Sequence, residues 1–142
     1  MENLIVAISN LIAILPIVSA YQKSDYLTTV CLSLAMLFSI IYHLAETEKH
    51  QLPGLFGKQF GRKYHFILIN LDRISAVLAI LRVIYKYYHL DETIISWSVI
   101  GLASLLISEI KKNSYYIYLP YHCLWHIVAF SVANYLINLK MI

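Results

Sequence analysis

Charge is scarce in this sequence. Asp, Glu, Lys and Arg make up 13% of its 142 residues, while 60% are apolar. A soluble domain carries about 25% charged residues, and a core of this size cannot hide so much apolar surface from water. An ordinary soluble fold is therefore excluded, and a bilayer becomes the natural solvent for the outer face. Cysteine is nearly absent. Cys31 and Cys123 both fall in apolar segments, which argues against a disulfide framework and for two small buried thiols. The excess of one charge sign is small, at +3, and no nucleic-acid partner is expected. Short alternating segments of the β-barrel kind are missing, as are internal repeats and low-complexity tracts.

What remains is a series of long apolar runs. They cover about Asn3 to Tyr21, Tyr26 to Ala45, Tyr64 to Tyr88, Thr93 to Ile110 and Ser114 to Leu139. Each approaches the ~20 residues that cross ~30 Å of hydrocarbon as a helix. Backbone groups in lipid must be satisfied within the segment, which a helix does alone. The sequence thus predicts an all-α, polytopic transmembrane bundle of about five helices, forming one domain over residues 1–142. The first run contains Val18-Ser19-Ala20, a small-residue pattern of the kind cut by signal peptidase. Glu2 and the lack of early Lys or Arg argue for a retained helix instead. Pro16 should kink that helix. The single long connection, Glu46 to Lys63, carries three of the four glycines and a Pro53-Gly54 turn signal.

Lys49, Lys58, Arg62, Lys63, Lys111 and Lys112 share one side in a five-span arrangement. Lys23, Lys86, Lys140 and Arg82 lie on the other. This favours a cytoplasmic N-terminus and long loop. Arg82 is expected to snorkel or to pair within the bundle. Most of the twelve tyrosines cluster near run ends, as an interfacial belt does. His50, His65 and His89 read as solvated or interfacial.

Ionisable groups at membrane depth are costly and tend to be functional. His43, Asp72, His122 and His126 are the ones that matter, with Ser39 beside them. Ser39 and His43 are four apart, as are His122 and His126, so each pair shares a helix face. Two histidines one turn apart can hold one metal ion, and a third from another helix completes a site with one open position, the catalytic form of zinc. With alternating spans, all four ionisable groups fall in the same leaflet near one depth.

The order Ser39-x-x-x-His43, then Asp72, then His122-x-x-x-His126 in the last helix resembles the membrane hydrolase superfamily that unites alkaline ceramidases with the progestin and adiponectin receptors. Phe38-Ser39-Ile40-Ile41-Tyr42-His43 and Leu71-Asp72-Arg73 carry the local likeness. The resemblance implies that His43, His122 and His126 bind Zn2+. It implies that Asp72 positions the water or acts as general base, and that Ser39 supports the site or its oxyanion. Such proteins usually have seven spans. Here a single helix replaces about three between Asp72 and His122.

The expected activity is a zinc-dependent hydrolysis of a lipid amide or ester, with a membrane lipid as substrate and a homo-oligomer as a way to complete a short bundle. The rival expectations are a non-catalytic zinc-bearing receptor or partner subunit, and a haem-binding electron carrier. Haem fits poorly, because its axial ligands approach from opposite faces.

Overall fold

The computed structural model describes residues 2–45, 58–89, 91–112 and 114–139. Among them there is no strand. The first rod consists of α1 (Glu2–Ser9), a 3-10 turn (Asn10–Ala13) and α2 (Ile14–Gln22). Four more rods follow: α3 (Tyr26–Ala45), α4 (Lys58–Tyr87), α5 (Glu92–Ile110) and α6 (Tyr115–Asn138). The all-α bundle expected from hydropathy is the fold that forms. His50 and the Pro53-Gly54 turn lie outside the described residues. Leu4–Gln22, Tyr26–Ala45 and Glu92–Ile110 are long and apolar enough to cross a bilayer, which makes the chain a helical membrane protein.

Two local features differ from the plain reading of apolar runs. The first rod is broken at Asn10–Ala13. Pro16 has no N–H to give the carbonyl one turn before it, and the chain tightens there into 3-10 geometry. α4 starts at Lys58 instead of near Tyr64 and runs for 30 residues, about 45 Å. Hydropathy reports where lipid would touch a helix, not where the helix ends. Asp72 therefore sits about four turns into α4 instead of two.

Between α2 and α3 the chain reverses in three residues. Ser24 takes a left-handed φ of 56°, and the Asp25 side chain accepts the Thr28 backbone N–H at 3.3 Å, capping α3. This carboxylate does more than cap. Its side chain is 3% exposed, and it takes hydrogen bonds from Arg82 Nη2 at 3.0 Å, from the Tyr87 hydroxyl at 2.9 Å and from the Thr28 hydroxyl. Lys86 Nζ stands 3.3 Å away, and Arg82 Nε also donates to Thr28 Oγ1. Burial pushes the carboxyl pKa up, but the bonds from Thr28, Tyr87 and Arg82 outweigh it and hold the group well below the usual carboxylate range. Arg82 thus pairs within the bundle, fastening the end of α4 to the start of α3.

The first rod packs against both α3 and α6, α4 lies on α3, and α5 lies on α6. Small residues let these backbones approach, as in membrane bundles generally. Ala20, Ala35, Ala79 and Ala133 form a buried core with Leu32 and Ile137. On α5, a Cβ at Gly101 would meet Val128 Cγ1 at 3.0 Å. α4 and α5 follow each other in the chain yet do not pack together: among the described residues no Cα of one lies within 8 Å of the other. Cys31 and Cys123 are free thiols.

Candidate metal centre

Helices α4 and α5, which stand apart, both line a cavity of about 790 Å³, within the range of small-molecule sites. Ile80, Ile84, Leu102 and Leu105 line its apolar length. Its polar end holds Ser39, Asp72, Glu109, His122 and His126.

His43 projects from the end of α3, and His122 and His126 from one face of α6. All three are buried. Their ring centroids are 4.9 Å apart for His43–His122, 5.4 Å for His43–His126 and 4.8 Å for His122–His126. One nitrogen from each lies within 4.8 Å of the others. Helices α3 and α6 are not neighbours by backbone. The histidines bridge them, held there because the first rod packs on both.

Asp72 and Ser39 reach the same cavity from α4 and α3. Ser39 is buried and Asp72 half-buried. The three-histidine group is formed without them. As a donor set it fits zinc: three imidazoles on two helices, two of them lining the cavity, with a carboxylate on the same cavity wall. Nitrogens in a tetrahedral site with zinc distances of ~2.0–2.1 Å stand about 3.3 Å apart. Modest side-chain rotations would draw these three together.

Several residues of the site are ones that sequence patterns did not single out. Ser9 Oγ lies 2.8 Å from His126 Nδ1, and Ser108 Oγ lies 3.2 Å from His122 Nδ1. Asn10, fully buried in the 3-10 turn, gives its Nδ2–H to the Val6 carbonyl at 3.2 Å. Its Oδ1 has no hydrogen-bond partner among the described residues. Tyr118, expected in the interfacial belt, is 1% exposed, and its ring lies 4.9 Å from that of His122. It is a wall of the site because the helical spacing of four puts it on the histidine face. His65, expected to be solvated or interfacial, is half-buried with its ring 6.0 Å from that of Tyr42. His89 is exposed, 3.7 Å from Asp91. A serine in an apolar helix gives almost no signal in sequence, since its default partner is its own backbone.

Fold and site together define a helical membrane protein with three buried, clustered histidines, two of which line an internal cavity. The chain belongs to the DUF3522 family, described as a protein of unknown function, whose model matches residues 1–138. It is similar to the uncharacterized protein L282 of Acanthamoeba polyphaga mimivirus, with 31% identity over 151 residues, covering 97% of each chain. No solved structure matches.

Proposed function

We propose that this chain is a zinc-dependent membrane hydrolase that cleaves a lipid amide or ester, as alkaline ceramidases and their receptor relatives suggest by resemblance. In this reading all five rods cross the bilayer, with the N-terminus and the α3–α4 connection on the histidine side. The observation that carries it is the convergence of His43, His122 and His126, the last two lining a cavity walled by α4 and α5, which stand apart from each other. A lipid reaches such a site without leaving the membrane.

The roles divide by chemistry. His43, His122 and His126 hold the ion. Zinc, when bound, supplies Lewis acidity and brings the pKa of a coordinated water towards ~7. Asp72 orients the attacking water and accepts its proton. The Ser39 hydroxyl donates to the carbonyl oxygen as negative charge develops there. Ile80, Leu102 and Leu105 hold the acyl chain and exclude bulk water from the polar end. The products are a fatty acid and an amine or alcohol. The mutual closeness of the three rings favours this reading over haem, which needs room for a macrocycle between two imidazoles.

Elemental analysis of purified protein tests the first half: about one zinc per chain in wild type and none in His43→Ala. Fatty-acid release from ceramides and related acyl lipids, with Asp72→Asn as control, tests the second. Bound zinc without Asp72-dependent turnover would remove the enzyme and leave a metal-bearing receptor or partner subunit.

A further inference from the structure

The two serines that touch the histidines have each committed their only hydrogen elsewhere. Ser9 Oγ lies 2.7 Å from the Val6 carbonyl oxygen and 2.8 Å from His126 Nδ1. Ser108 Oγ lies 2.7 Å from the Leu105 carbonyl oxygen and 3.2 Å from His122 Nδ1. Two oxygens at 2.7 Å need a hydrogen between them, and a carbonyl has none to give. Each hydroxyl therefore donates to its own helix backbone. The second contact is a hydrogen bond only if the ring nitrogen is the donor. Nδ1 then carries the proton in both histidines, and the lone pair falls on Nε2.

We infer that Ser9 and Ser108 are positioning residues: each fixes one histidine in the Nδ1–H tautomer and so presents Nε2 as the metal-ligating atom. The use made of Nε2 rests on the zinc reading above, whereas the tautomer itself does not. Metal-bound histidines commonly give their other N–H to such an outer partner, which sets ring orientation and ligand strength. Here the partners come from different elements. The carbonyl-anchored hydroxyl of α1 serves His126, and that of α5 serves His122. The first rod is thereby part of the centre, since cleavage after Ala20 would carry Ser9 away. The Val6 carbonyl on which Ser9 depends also accepts from Asn10 Nδ2 at 3.2 Å and from the His126 ring, which must again be the donor since a carbonyl only accepts. The Ser9 hydroxyl also contacts the Cys123 thiol.

The test needs no metal. In metal-free protein labelled with 15N-histidine, at a pH above imidazole protonation, His122 and His126 should both show a protonated Nδ1 and a bare Nε2. An unconstrained histidine in water prefers the reverse. Ser9→Ala should return His126 alone towards the solution mixture and weaken zinc binding about 10–100-fold. Ser9→Thr, which keeps the hydroxyl, should restore both. Ser108→Ala should do the same to His122 alone. An Nε2–H tautomer in wild type overturns the inference without any variant, so a poorly folding mutant cannot shelter it. Serine variants with unchanged shifts and unchanged affinity overturn it too. Correct tautomers in a protein that takes up no zinc would sink the hydrolase reading while leaving the serine relay standing. Zinc bound with the wrong tautomers would do the opposite.

Discussion

The two ends of this bundle treat polar groups in opposite ways. At the α2–α3 turn, Asp25 is surrounded by Arg82, Lys86, Tyr87 and Thr28. One buried carboxylate is shared there by two cations and two hydroxyls, all supplied by the protein itself. At the other end the buried rings of His43, His122 and His126 crowd together, beside a cavity. A closed ion-pair network holds helices in place. A cluster of imidazole nitrogens beside a cavity gathers ligands that the fold alone gives no reason to gather. Cost points the same way: burying three imidazoles side by side displaces apolar packing that a purely structural core would favour.

That contrast can be broken, and the largest effect should come at the histidine end. His122→Ala is expected to abolish stoichiometric zinc and to lower lipid hydrolysis by at least about a thousandfold, with a lower melting temperature from the cavity left beside Tyr118 but a protein that still folds. Asp72→Asn should keep the zinc and lose about 10²–10⁴-fold in turnover. Equal zinc loss in both variants would show that the carboxylate is part of the metal-holding set.

The opposite end should answer in stability and not in chemistry. Asp25→Ala strands Arg82 with its main partner gone, and about 3–5 kcal/mol of stability should go with it. Thermal unfolding in detergent measures this, and folded protein recovered in the cold should still bind zinc. The same carboxylate gives a pH signature. Its pKa is lowered in the folded protein from an ordinary value of 3.8, so its contribution is fully present above that pH and fades as the pH falls through and below it. A melting-temperature series from pH 7 to pH 3 should drop more steeply in wild type than in Asp25→Asn. Parallel curves would mean that Asp25 does not govern acid stability.

The smallest effect belongs to neither end. Gly101→Ala puts a methyl 3.0 Å from Val128 Cγ1, and about 1–3 kcal/mol of strain is expected at the α5–α6 contact. Unchanged stability would mean that Val128 gives way enough for the gain of alanine in a helix, about 1 kcal/mol, to offset the clash.

Much of this molecule was legible in its residues. Apolar runs located the rods, because lipid imposes a length and a composition on whatever crosses it. The four-residue spacing of His122 and His126 put them on one face, since helical geometry is local. His43 was legible by parity, because alternating spans bring the end of one helix level with the start of another. Ser9, Ser108 and Asn10 were not, as a serine or asparagine in an apolar run looks the same whether it bonds its own backbone or a histidine more than a hundred residues away. Arg82 was ambiguous for a related reason. Its partner Asp25 reads as a helix cap, and its second role depends on where α4 ends.

By itself, then, the amino-acid order determined what this protein is made of: apolar helices that carry imidazoles, a carboxylate and a hydroxyl. Period and hydrophobicity are properties of a segment and need no partner. Only the tertiary structure decided which atoms meet. It placed the first rod between α3 and α6, left α4 and α5 apart, and set each of two serines against a histidine nitrogen. Those outcomes depend on contacts between distant segments, which no single stretch of sequence encodes.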